Sequence, residues 1–228
     1  MAARTQGQYQ VRFAWGVAGA ERVAADAHLV VWVDVLPERR GTSAADRDRD
    51  ARAAAARVPV GPEVVLGHLG NARAVAERVT GLQAERGDRC VVAVVAAGRT
   101  TGPHTDAAEA AGEPADTSEA PDPAVEDLLA AGAVVDALVA VGIDHTAPEA
   151  AAACAAYTGL RQAVRHLVSA AEGASGLDRE DVRTALAAGP DLVVLRPGAQ
   201  RGRTGAQRDC STVQRGSSGA QREQGPRA

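Results

Sequence analysis

The eight residues Leu29-Val30-Val31-Trp32-Val33-Asp34-Val35-Leu36 constrain the fold of this chain more than any other segment. Their β-branched and aromatic side chains favour extended backbone, and polar residues do not alternate with apolar ones. A strand apolar on both faces belongs inside a sheet covered by helices on each side, as in parallel α/β proteins. The expected fold class is therefore α/β, a mainly parallel sheet in a three-layer, single-domain arrangement. Ligands of such sheets gather beyond the strands' carboxyl ends. Asp34, the only charge in the run, stands near its exit.

Further strands are predicted over Gln10 to Trp15, Glu63 to Leu69, Arg89 to Ala96 and Asp191 to Leu195. Helices are expected between them. The first covers Gly16 to Ala25, with Gly16 and Gly19 either permitting a tight turn or letting backbone amides approach an anion. Ser43 to Arg57 either forms a second, exposed helix capped by Ser43 or is disordered. Asn71 opens a third, Ala72 to Thr80, and either caps it or turns its N-terminus toward an anion at the same rim as Asp34. Asp122 at the N-cap with Pro123 at the first helical position begins the clearest helix, which runs to Leu138. Thr146-Ala147-Pro148-Glu149 is a capping box for a helix through Tyr157 and, past Gly159, from Leu160 to Ala171. Asp178 caps a last helix, Arg179 to Ala188. The domain is expected over residues 10–197, after a loose lead at 1–9. Thr100 to Pro121 is expected to be a flexible loop, and 198–228, where Gly-Ala-Gln-Arg occurs three times, a disordered basic tail.

Composition narrows the chemistry. Hydrophobic residues make up 46% of the 228 positions but aromatics only 2%, so the core must be built from Ala, Val and Leu. The net charge is −4 although the stretch from residue 196 onward is strongly basic, which leaves an acidic, aromatic-poor body. That argues against nucleic acid as a partner. All 25 basic residues are Arg, so the ammonium that a Walker A loop needs is missing. Cys90, Cys154 and Cys210 are odd in number and lack C-x-x-C spacing, which points to a reducing, cytoplasmic setting. Cys210 and Arg215 are one residue short of C-x5-R. The five histidines are scattered, without metal-ligand spacing. No leader or membrane-spanning run is visible, so no membrane partner is expected.

What remains is a set of acids: Asp34 at a strand end, Glu126 and Asp127 at a helix start, and Glu180 with Asp181 in the last helix. Glu126 and Asp127 either suit the helix dipole or, with Asp34, hold a hard divalent cation. Oxygen ligands of this kind suit Mg²⁺, which clamps phosphoryl oxygens.

Several blocks, in order, resemble the 2-phosphosulfolactate phosphatase family: Val11-Arg12-Phe13-Ala14-Trp15-Gly16 with Gly19-Ala20, Val33-Asp34-Val35-Leu36, Gly70-Asn71-Ala72-Arg73-Ala74-Val75-Ala76, Val92 to Gly98, and Pro123 to Ala133. The resemblance spans most of residues 10–197. The Ala- and Arg-skewed composition suggests a bacterial origin, and the resemblance implies a Mg²⁺-dependent phosphoric monoester hydrolase of α/β architecture. Its substrate would be 2-phosphosulfolactate, as in coenzyme M biosynthesis, or a similar phosphorylated hydroxyacid. By position Asp34, Glu126 and Asp127 fall on the family's acidic motifs, with Asp34 and Glu126 expected as catalytic and all three as metal ligands, while Asn71 and Gly98 match its turn residues; Arg99, beside them, is expected to join Asn71 and Gly98 at the substrate. Ser175-Gly176 and Asp181 loosely match its C-terminal motif. The chain departs from the family at Pro37 to Ser43, where a Ser/Thr-rich turn is usual. It also passes from Val60 almost directly to Glu63, and carries Arg99 where an acid is usual. A homologue that binds without turnover is the alternative, and a homodimer is an expected assembly.

Overall fold

The computed structural model describes residues 6–99 and 121–199. Within them the order is β1 (Val11–Trp15), α1 (Gly16–Val23), β2 (Leu29–Val33), α2 (Ala44–Arg57), β3 (Glu63–Gly67), α3 (Ala72–Arg86), β4 (Val92–Ala96), α4 (Val125–Ala140), α5 (Pro148–Leu160), α6 (Val164–Ser169), a 3₁₀ turn (Glu172–Ala174), α7 (Arg179–Leu186) and β5 (Val193–Arg196). The sheet order is β1-β4-β2-β3-β5. The first four strands are parallel, and β5 is antiparallel to β3 at the edge.

The apolar run is a central strand. β2 lies between β4 and β3, with Val31 opposite both Val94 and Val65. Every residue of β2 is buried. Its alternate side chains enter two cores: Leu29, Val31 and Val33 face α3 and α4, while Val30 and Trp32 face α1 and α2. The fold is thus a three-layer α/β sandwich. Its small-residue composition shows where α4 crosses α5. A Cβ on Gly132 would lie 2.1 Å from the Ala153 carbonyl oxygen, so the two backbones meet with no side chain between them.

The amino-terminal edge is closed by the chain's own groups. The Gln6 amide donates to the Phe13 carbonyl and accepts from the Phe13 N–H, both at 2.9 Å, as a neighbouring strand would. Val11 is bridged by the 145–147 segment. Residues 6–9 are therefore docked on β1 rather than loose.

Other boundaries also differ from expectation. α3 runs past Gly81 to stop at Gly87, whose φ of +66° ends it in the left-handed region. α4 starts at Val125 with Ala124 at its N-cap, because Asp122 is tied in an antiparallel bridge to Arg99. α5 is capped at Ala147 without a side-chain bond, since Thr146 bridges Val11 instead. The helix after Tyr157 breaks into α5 and α6. The expected loop at 100–120 and the tail beyond 199 lie outside the described residues.

Candidate functional site at the carboxyl rim

The register makes the four parallel strands end level: Trp15 is opposite Ala96, and Val33 is opposite both Ala96 and Gly67. Chain leaving β2 goes to the α1/α2 face and chain leaving β4 goes to the α3/α4 face. Adjacent connections that diverge in this way open a crevice at the sheet's carboxyl edge. Asp34 and Val35 leave one side of it, Gly98 and Arg99 the other.

Asp127, in the first turn of α4, fills the floor of that crevice. Its Oδ1 accepts the Val35 N–H and its Oδ2 the Gly98 N–H, each at 2.9 Å. One carboxylate thus ties two strand ends to a helix start. It is 3% exposed. Burial, then the charge of Asp34, holds its pKa well above the ordinary carboxylate value, while the two N–H donors pull the other way.

Asp34, itself half-buried, stands close enough for its charge to bear on Asp127. Burial pushes its carboxyl up to about 7, and Glu38, Asp50 and Glu126 add to the rise while Arg47 opposes it. Glu126 is also 3% exposed and raised by burial; its own backbone N–H and Arg99 act against that. The three acids therefore sense one another. Among the described residues, however, no group of three or more His, Cys, Asp or Glu side chains is placed to hold a metal ion.

Glu126 points to the outer side. A Cβ on Gly173 would meet its Oε1 at 2.1 Å, so the 3₁₀ turn lies directly over the carboxylate and admits only glycine without a shift. Arg99 completes this corner. It pairs with Glu172 at 3.1 Å and lies 3.9 Å from Asp122, and its Nε is buried without a hydrogen-bond partner. Glu172 raises the guanidinium further above its ordinary value. Arg99, Pro123 to Glu126, Glu172 and Gly173 enclose a pocket of about 120 Å³. Ala124 has no side chain to cap the start of α4, and of its first-turn amides that of Glu126 is taken by its own carboxylate.

Glycines make the corner possible. Gly98 has φ +69°, and a Cβ there would be 2.8 Å from the Asp122 carbonyl oxygen. Gly16, at φ +61°, packs likewise on Pro121. Gly19 instead lies against Ala14, so this pair serves the turn and its packing.

Asn71 is fully buried at the end of β3. Its Oδ1 accepts the His68 N–H at 2.9 Å and its Nδ2 donates to the Leu66 carbonyl at 2.9 Å. It holds the β3–α3 turn, makes no side-chain cap, and does not line the pocket. His68 accepts the Gly70 N–H at 3.2 Å, and burial lowers its pKa. Glu180 and Asp181 serve another place: Asp181 accepts the Gly41 N–H, Glu180 pairs with Arg183, and Arg40 donates to the Gly176 carbonyl. Burial raises both Cys90, to about 11, and Cys154.

The structure thus brings together Asp34, Gly98, Arg99, Glu126 and Asp127 and leaves Asn71 in its own turn. Glu172 and Gly173 complete the pocket, and no local pattern announced those two: in sequence they open a turn, Glu172 to Gly176. No protein-family model matches the chain, and no curated protein matches it.

Proposed function

We propose that this chain takes a small phosphorylated acid at the carboxyl rim and hydrolyses its phosphate ester, with 2-phosphosulfolactate the substrate class that the sequence resemblance implies. The observation that carries the reading is the corner pocket, where Arg99 and the uncapped start of α4 face the same small space. A phosphate fits this chemistry because guanidinium and helix N–H groups both favour a dianion. Phosphoryl transfer depends mainly on such positioning and charge stabilisation.

Mg²⁺ binds through one or two carboxylates together with substrate phosphate. The residues compatible with that are Asp34 and Glu126, since both oxygens of Asp127 already accept backbone N–H groups. Bound there, the ion would neutralise phosphoryl oxygens. Asp127 is then a positioning residue that holds Val35 and Gly98 in place. Arg99 binds the dianion, and Glu172 orients Arg99.

The test is phosphate release from 2-phosphosulfolactate with Mg²⁺ and with EDTA. Release is expected only with Mg²⁺, to fall about 100-fold in Asp34→Asn, and to show a KM about tenfold higher in Arg99→Ala. Activity that persists in both EDTA and Asp34→Asn overturns the proposal. A second reading, binding without turnover, draws on the engagement of Asp127 and Asn71 by main chain. It requires that phosphosulfolactate raise the thermal midpoint while no phosphate is released.

A further inference from the structure

A second cavity of about 530 Å³ lies between α6 and α7 and shares no lining residue with the rim pocket. Its two parts differ in chemistry. Leu177, Val182 and Leu186 supply an aliphatic floor; Arg165, Arg179 and Arg183 stand around it. Among the described residues no acid lines it. Only Arg183 has an ion-pair partner, Glu180; Arg165 and Arg179 have none among the described residues. Three guanidinium groups, two of them without an ion-pair partner among the described residues, run against the net charge of −4.

We propose that this cleft is a binding site for an anionic amphiphile, a phosphate or carboxylate head on a short aliphatic chain. The arginines set the head: guanidinium groups match phosphate and carboxylate oxygens in a fixed fork. The floor sets the tail, because an inorganic ion would leave the partly exposed Leu177 and Leu186 uncovered, and burying apolar surface is favourable at ~25 cal/mol per Å². The volume is that of a small-molecule site. His166 and Ser169 also belong to the lining, which holds no Phe, Tyr or Trp. The site is independent of the rim chemistry proposed above.

The experiment is calorimetric titration of the full chain with octyl phosphate, octanol and inorganic phosphate. Octyl phosphate is expected to bind, and each of the other two to bind at least about tenfold more weakly, since each lacks one half of the match. The double variant Arg165→Ala/Arg179→Ala should lose about tenfold or more in affinity with an unchanged thermal midpoint, because both side chains are exposed. Leu177→Asn should weaken octyl phosphate and leave inorganic phosphate unaffected. Arg99→Ala should leave octyl phosphate binding unchanged. Equal binding of inorganic and octyl phosphate, wild-type affinity in the double variant, or loss confined to Arg99→Ala overturns the proposal.

Discussion

Asp127 is a carboxylate engaged at both oxygens by the main chain of other segments. Its partners, Val35 and Gly98, follow neighbouring strands. Replacing it with Ala leaves two donors in a buried place. A buried donor left unmade costs about 1–3 kcal/mol, so Asp127→Ala is expected to destabilise the fold by about 2–4 kcal/mol, measured by urea unfolding. A loss below about 0.5 kcal/mol, the range of ordinary surface changes, would show that the two N–H groups find water instead. The acid itself was visible in the sequence as one of a pair at a helix start, where dipole and cation were both open readings. Its partners lie 92 and 29 residues away, and no local pattern encodes contacts at such separation. Asn71 teaches the same point: a good cap residue at a cap position uses its amide for the preceding turn, because that turn is buried and its donors require acceptors.

At the scale of elements, β5 and α2 hold each other through two arginines. Arg52 donates to the Val194 and Leu195 carbonyls at 3.2 and 3.1 Å. In return Arg196 donates to the Ala55 and Val58 carbonyls at 2.8 Å, and to that of Pro59 at 2.6 Å. The last carbonyls of a helix lack intrahelical donors, so Arg196 satisfies the end of α2. Arg52 covers part of an edge strand that would otherwise be free to pair. Arg196→Ala is expected to cost about 1–3 kcal/mol and to speed hydrogen exchange in β5 while β2 and β4 keep their protection. Unchanged exchange in β5 would mean that pairing with β3 suffices. Element boundaries were legible where a local signal had no competitor: Ser43 accepts the Asp46 N–H at 3.1 Å, as its position before α2 implied. They were misplaced where a tertiary contact outbid the signal, as at Asp122 and Thr146, whose main chains form bridges to Arg99 and Val11.

For the molecule as a whole, buried acids make stability depend on pH in the direction opposite to the usual one. Asp34 ionises near 3.8 in the unfolded chain and near 7 in the fold. Between those values the folded state binds more protons, so stability falls as pH rises through the window. Asp127 acts in the same sense. Asp34 alone is expected to remove about 4 kcal/mol between pH 4 and 7. In magnesium-free buffer the thermal midpoint should therefore be higher at pH 5 than at pH 8 by about 5–10 °C, and Asp34→Asn should remove most of the difference. A flat profile across this range would show that Asp34 is solvated. No helix among the described residues is long and apolar enough to cross a membrane.

The sequence by itself determined the layered class. A run apolar on both faces can only be covered from both sides, and Ala and Val in place of aromatics demand close helix crossings such as that at Gly132. It also marked Asp34, because a charge at the exit of a buried strand must lie on the rim. Which acids would meet there, and which would be tied by backbone N–H groups, was decided by tertiary structure. The order β1-β4-β2-β3 places the ends of β2 and β4 side by side although 58 or more residues separate them. The need to satisfy the amides of those two ends is what draws Asp127 inward and leaves Arg99 and Glu126 to shape the pocket.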